Sequence, residues 1–210
     1  GTRRVMELAA ELPSRPRVLF VSSSHVYAPV TTETPVVDES APLQPQRGYG
    51  RSKLAAEAEV RRAVEELGCD AVVTRSFQHT GPRQNPRMML PQWARQFALA
   101  GSEPVEVHTR DAMIDLTDVR DVVRAYRLLI ERGTRGEVYN VGSGVAVRSG
   151  DVLDVLRNLA DPQRPIVELH PGRKQDPIAN IDRLVQSTGW QPIVPIETTV
   201  ADTLAWWRSR

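Results

Sequence analysis

Two apolar runs rich in β-branched residues, with one long amphipathic segment between them, constrain this chain more than any other feature. Arg17 to Ser22 reads Arg-Val-Leu-Phe-Val-Ser, and Asp70 to Phe77 is of the same kind. Each run is continuous rather than alternating and is flanked by turn residues. That predicts strands of a parallel sheet, buried on both faces. Between them, Tyr49 to Leu67 carries Leu54, Ala55, Ala58, Val60, Ala63, Val64 and Leu67 on one stripe, and Gly68 follows. This is a helix with a glycine end. Val5, Met6, Leu8, Ala9 and Leu12 predict an earlier helix near residues 1–12. Helix, strand, helix, strand in this order gives an α/β fold with a parallel sheet and right-handed crossovers.

After Phe77 the pattern changes. His79 to Met88 reads as a Gly/Pro/Arg loop, and Pro91 opens a helix over Leu90 to Leu99. Asp118 to Arg132 is a helix with aspartate capping signals. Pro104–Val107, Glu137–Val141 and Ile166–Leu169 read as short strands. Ser149 is expected to cap a helix to about Leu159, and two short helices to follow near Ile181–Ser187 and Ile196–Arg208. This second half is a smaller α/β lobe. The 16 prolines predict many turns rather than long helices.

Composition narrows the function. Lys+Arg number 27 against 26 Asp+Glu, a net charge of +1. That is not the balance of a nucleic-acid binder. No apolar run reaches the roughly 18 residues that span a bilayer, and no leader-like segment opens the chain. Neither a membrane nor nucleic acid is expected as a partner. The single cysteine, Cys69, has no internal disulfide partner, and a reducing cytoplasm is expected. His25, His79, His108 and His170 lack metal-ligand spacing, so no metal is expected. Gly142-Ser143-Gly144 is not a nucleophile elbow. Trp93, Trp190, Trp206 and Trp207 are expected as packing anchors.

Tyr49 and Lys53 stand four residues apart at a helix start, on one helix face. A free phenol, with a pKa near 10, is a poor acid–base group at neutral pH, and a neighbouring ammonium favours the phenolate. Such a pair suits proton transfer to a carbonyl oxygen. Only two of the chain's 27 cations are lysines, Lys53 and Lys174, so Lys53 is not compositional filler. Ser22, Ser23 and Ser24 follow the first apolar run, where parallel sheets bind ligands. Hydroxyls there bond a substrate oxygen or merely satisfy the strand end.

Together these residues resemble the extended short-chain dehydrogenase/reductase family of nucleotide-sugar epimerases, dehydratases and reductases. The resemblance runs through Arg75 to Pro82, Asp115 to Val122, Tyr139 to Gly144, Arg173 with Asp176, and Gly189-Trp190-Gln191-Pro192. It implies the C-terminal part of a Rossmann-like doubly wound sheet with a substrate-binding lobe. Residues 1–82 would form a partial dinucleotide-binding domain, and 83–210 mainly the nucleotide-sugar lobe, with segments returning to the core. The implied catalytic set is Ser23, Tyr49 and Lys53. Ser22, Phe77 and His79 would join Tyr49 and Lys53 at an NAD or NADP cofactor. Ser24, His25, Gln78, Asn140, Arg173 and Asp176 would face a nucleotide sugar, with Asn140 and Arg173 at its diphosphate.

Within the family, Arg75 to Gln84 and Arg124 to Leu129 are similar to reductases of GDP-4-keto-6-deoxymannose. A 4-epimerase of the same family is the alternative. Ser24 and His25 stand where the 4,6-dehydratases carry acidic residues, so a dehydratase is not expected. Gln78 and Ile114 replace the family's usual Asn and Arg.

No Gly-x-x-Gly-x-x-Gly occurs in the chain, and Gly1 opens it as if in mid-helix. The expectation is a fragment that lacks the first strands and the pyrophosphate loop, inactive on its own. A non-catalytic truncated product is the other reading. The resemblance also implies a homodimer through the helices near residues 1–12 and 49–67.

Overall fold

The computed structural model describes residues 1–99 and 101–210. The elements run α1 (Thr2–Glu11), β1 (Val18–Ser23), a 3-10 turn (Ser24–Val26), β2 (Val36–Val37), α2 (Gly48–Glu66), β3 (Ala71–Ser76), β4 (Gln78–Thr80) and α3 (Met89–Ala98). They continue with β5 (Val105–Val107), β6 (Ala112–Asp118), α4 (Val119–Arg132), β7 (Val138–Val141), β8 (Ala146–Arg148) and α5 (Ser149–Ala160). The last are β9 (Ile166–Glu168), β10 (Lys174–Gln175), β11 (Ile178–Ala179), α6 (Asp182–Thr188) and α7 (Ile196–Arg208). The chain is an α/β protein with mainly parallel pairing, as its sequence pattern predicts. No helix among the described residues is long and apolar enough to cross a membrane.

β1, β3 and β7 form a parallel sheet in that order. Val18 pairs with Ala71 and Ser23 with Ser76, while Arg75 pairs with Asn140. Successive side chains of β3 point to opposite faces. Ala71 and Val73 meet Met6 of α1 and Val60 and Ala63 of α2. Val72 meets Val122, Ala125 and Leu129 of α4, with Trp190 beyond. β3 is buried throughout, whereas Val21 of β1 is 36% exposed. The sequence predicts two strands buried on both faces. β1 differs because it pairs on one side only among the described residues.

β6 organises the second half. It pairs in parallel with β10 and β4 and antiparallel with β8. Around it, α3, α5 and α7 close a core that holds Trp93, Phe97, Ile114, Leu153, Leu156 and Leu204. Asp115 is 1% exposed and accepts from the backbone N–H of Ser143, Gly144 and Ala179 at 2.7, 3.0 and 3.0 Å. This carboxylate fastens the Gly142–Gly144 turn and β11 to β6.

Three expectations need correction. The stretch from His79 is not all loop, because His79 and Thr80 lie in β4 and pair with Thr117 and Asp118. Ser149 is not the cap of α5. Its hydroxyl is buried, donating to Thr109 O and accepting from Ala112 N, and Arg148 holds the cap position. Helix α2 runs 19 residues without a proline, and every proline but Pro91, in the first turn of α3, falls between elements rather than shortening them. Of the tryptophans, Trp93 and Trp190 are buried, Trp207 packs half-buried against the core around β6, and Trp206 stacks on it edge to face at 4.7 Å.

The chain crosses from sheet to lobe at Phe77, the residue between β3 and β4. The carboxyl ends of β1 and β3 therefore open onto the lobe, which is where parallel sheets place ligands.

Candidate active site

A cavity of about 390 Å³ lies at that crossing. Ser22, Ser23, Ser24 and His25 from the end of β1 line it, with Tyr49 from the first turn of α2 and Phe77, Gln78 and His79 from the β3–β4 crossing. Eight of the residues implicated by the sequence thus meet at one pocket. Tyr49 is 56% exposed, so its phenol is open to the cavity.

The local sequence explains this meeting. Helix α2 begins at Gly48, so Tyr49 falls in the first turn and Lys53 one turn below. Gly50 allows the helix to approach the serine segment, because a Cβ there would collide with the carbonyl oxygen of His25. Lys53 Nζ donates to Val21 O at 2.8 Å, tying the helix to the end of β1. The same ammonium lies 5.7 Å from the centre of the Tyr49 ring and 5.4 Å from that of Phe20. Lys53 is not in the pocket wall but stands beneath it.

The hydroxyls are set for donation. Ser23 Oγ accepts from the backbone N–H of His25 at 3.2 Å, which leaves its own proton to give. Ser22 is 2% exposed, and its Oγ has no hydrogen-bond partner. A buried orphan hydroxyl in a pocket wall is a group waiting for a ligand. The His25 ring meets Tyr49 edge-on, with centroids 5.8 Å apart. His79 Nδ1 is within 2.9 Å of Phe77 O, which fixes that ring against the crossing.

Other implicated residues lie elsewhere. Gln78 Nε2 donates to Asp176 Oδ2 at 2.6 Å, and Lys174 Nζ reaches Asp176 Oδ1 at 2.9 Å. Asp176 and Lys174 line a second cavity of about 230 Å³, which shares Ser24 and His25 with the first and also holds Gln46 and Arg47. Arg173 is exposed just before β10 and lines neither cavity. Asn140, expected at the diphosphate, lines neither cavity. It is fully buried, its amide oxygen accepts from Tyr27 Oη at 2.6 Å, and its amide nitrogen donates to Val37 O and Asn180 O. Every polar atom of that side chain is already committed inside the protein.

Sequence reasoning missed the far wall: Ser76, Thr80, Gln84, Met88, Met89, Leu90 and Leu116. Most of these come from the segment read as irregular or from its flanks, where spacing carries no face information. Thr80 Oγ1 donates to Gln84 Oε1 at 2.7 Å, and Gln84 Nε2 donates to His79 O at 2.9 Å, so the segment is held in place. Lys174 was legible in principle, being the only lysine besides Lys53 in an arginine-rich chain.

Among the described residues, no group of three or more His, Cys, Asp or Glu is placed to hold a metal ion. Burial pushes the Tyr27 phenol up to about 12 against the opposing pull of Arg75 and Asn140. Burial also raises the Tyr126 phenol, whose Oη is 2.6 Å from Ser76 Oγ.

The NAD dependent epimerase/dehydratase family matches over residues 1–142. The chain belongs to that family. It is similar to the GDP-6-deoxy-D-mannose reductase of Pseudomonas aeruginosa, with 30% identity over 200 residues, covering 91% of this chain and 66% of that protein. It is 28% identical over 204 residues to a dTDP-glucose 4,6-dehydratase of Xanthomonas campestris pv. campestris, covering 91% of this chain and 57% of that enzyme. The chain thus spans less than two thirds of the length of these curated relatives. Among solved structures, RMD from Pseudomonas aeruginosa complexed with NADPH superposes with a TM-score of 0.86 at 31% identity, over 92% of this chain and 67% of that one. A UDP-glucuronic acid 4-epimerase from Bacillus cereus in complex with NAD gives 0.86 at 20% identity, over 99% of this chain and 66% of that one. That second likeness speaks for the fold alone.

Proposed function

We propose that this chain supplies the catalytic and sugar-binding part of an NAD(P)-dependent nucleotide-sugar oxidoreductase that reduces a 4-keto-6-deoxy sugar. The observation that carries the reading is one pocket that brings together Ser23, Tyr49 and the orphan hydroxyl of Ser22, with the Lys53 ammonium beneath Tyr49. The likeness to a GDP-6-deoxy-D-mannose reductase supports the choice of sugar.

The residues fit a nicotinamide cofactor. Ser22 offers an unpaired buried hydroxyl, and Lys53 uses one of its three N–H donors on Val21 O, leaving donors for a ribose. Ser22, Lys53, Phe77 and His79 would hold the cofactor's reactive end. Bound there, the nicotinamide supplies the hydride that the keto carbon accepts. Tyr49 gives its proton to the keto oxygen as that oxygen becomes an alcohol. Ser23 donates a hydrogen bond to the same oxygen and orients it. Lys53 steadies the negative charge left on the Tyr49 oxygen.

No Asp or Glu is among the described residues that line this pocket, and its hydroxyls, amides and imidazoles suit protonation of a carbonyl rather than elimination of water. Arg47 and Lys174, at the adjoining cavity, suit a diphosphate. A homodimer through α1 and α2 fits the exposed Val5 and Leu8 of α1.

The test is Tyr49→Phe in the whole protein, with NADPH oxidation by a 4-keto-6-deoxy nucleotide sugar as readout. Turnover is expected to fall about 10²–10⁴-fold with little change in KM. Near-normal turnover would remove Tyr49 from its role. Interconversion of sugars with the cofactor unchanged would replace the reductase by an epimerase.

A further inference from the structure

One buried guanidinium joins the elements that carry Tyr49 and Ser23. Arg75 of β3 is 4% exposed, and Glu57 of α2 is 8% exposed. Arg75 Nε donates to Glu57 Oε1 at 3.2 Å and Nη2 to Oε2 at 2.9 Å, a two-pronged pair. Nη1 donates to Tyr27 Oη at 3.3 Å and to the Glu39 carbonyl at 3.0 Å. Tyr27 Oη then donates to Asn140 Oδ1. Glu57 stands one helical turn past Lys53 and two past Tyr49. Tyr27 stands four residues past Ser23. In the sheet, Arg75 is paired with Ser22 on one side and Asn140 on the other. Neither Arg75 nor Glu57 lines the pocket at Tyr49.

Stability alone does not explain such a pair. Its Coulomb attraction is offset by the loss of water from two charges, and well-packed apolar residues of similar volume serve stability as well or better. Packing is also incomplete at this place. The pair borders a cavity of about 360 Å³ between α2 and the sheet, walled by Leu54, Val60, Val64, Val73 and Val138. Val60 and Ala63 seat α2 on Ala71 and Val73, but the cavity leaves the flank at Leu54 and Glu57 loosely packed. The guanidinium fork spans the gap, and a planar two-pronged contact fixes orientation as well as distance.

We propose that Glu57 and Arg75 are positioning residues that hold the Tyr49–Lys53 turn at its working distance from Ser23. The proposal rests on the reductase reading for its catalytic consequence. A misplacement of the order of an ångström costs about 10²-fold in rate when the reacting groups must be aligned.

The test compares Glu57→Gln, Arg75→Lys and the double variant Glu57→Leu/Arg75→Met in the whole protein. Amide exchange over residues 48–54 is measured without substrate or cofactor, beside Tm, kcat and KM. Glu57→Gln and Arg75→Lys are expected to speed that exchange and to lower kcat by about 10- to 100-fold at near-normal KM. The double variant is expected to recover thermal stability while its exchange stays fast and its kcat stays low. Recovery of exchange and kcat together with Tm would reduce the pair to a structural filler and overturn the proposal. So would wild-type exchange and kcat in Arg75→Lys, which also decides the matter if the double variant does not fold. If the wild-type protein reduces no keto sugar, the reductase reading fails, and the exchange measurement alone decides the positioning.

Discussion

The two halves of the molecule bury different chemistry. Around β6 the apolar residues gather into one large cluster, with Trp93, Phe97, Ile114, Leu153, Leu156 and Leu204, beside buried polar groups such as Asp115 and Ser149. Around β3 the apolar contacts are split into smaller groups on the two sheet faces, and between them lie a buried Arg–Glu pair, a buried tyrosine and a buried asparagine. The apolar cluster of the lobe tolerates imprecision, since dispersion contacts weaken gradually with displacement. The sheet half does not, since buried hydrogen bonds and charges are costly once a partner moves away. The half that must hold Ser23, Tyr49 and Lys53 in register is the one with the smaller apolar groups and the buried ion pair between them.

The largest effect should come from the lobe. Trp93→Ala removes the largest side chain of that core, itself 1% exposed, and is expected to cost about 3–5 kcal/mol in urea unfolding. The comparison predicts that amide exchange over Ser22–His25 and Tyr49–Lys53 changes far less than exchange in α3 and α5. Equal acceleration in both halves would mean that they form one cooperative unit and that the contrast between them carries no functional weight.

Asn140→Ala comes next and sharpens the polar side of the contrast. It leaves Tyr27 Oη, Val37 O and Asn180 O short of partners, with an expected loss toward the top of about 1–3 kcal/mol. Affinity for the nucleotide sugar should be unchanged, because the side chain reaches no cavity wall. A large rise in KM at unchanged stability would return Asn140 to the diphosphate.

The sequence made the site more legible than its support. Ser23, Tyr49 and Lys53 are readable because strand ends and helical spacing have fixed geometry. Tyr139-Asn140-Val141 is recognisable as a motif, yet nothing in spacing tells whether Asn140 faces a ligand or the interior. That depends on Tyr27 and Val37, more than 100 positions away in the chain. β4 was hidden for a related reason, since three residues carry no period and only pairing with β6 makes them a strand. The Arg75–Glu57 pair joins residues 18 apart on different elements, beyond the reach of any local pattern. Ser149 shows the limit of capping rules, because a buried acceptor, Thr109 O, competes for its hydroxyl.

The smallest effect is the one with the clearest sign. Tyr27→Phe keeps the ring under Arg75, whose guanidinium carbon lies 5.0 Å from its centre, and removes only the hydroxyl. At neutral pH this strands Asn140 Oδ1 and should cost about 1 kcal/mol. Burial, partly opposed by Arg75, holds the folded phenol up at about 12, so between pH 10 and 12 the unfolded chain releases this proton while the folded chain keeps it. Stability from Tyr27 is therefore fully present below about pH 10 and is lost as pH rises toward about 12, by on the order of 2–3 kcal/mol. The wild-type urea midpoint should fall more steeply than that of Tyr27→Phe across this window. Tyr49, Tyr126 and Tyr139 are common to both chains and cancel in the difference. Parallel pH profiles would show that the Tyr27 hydroxyl is reached by water, and the polar half of the molecule would then be looser than its hydrogen bonds imply.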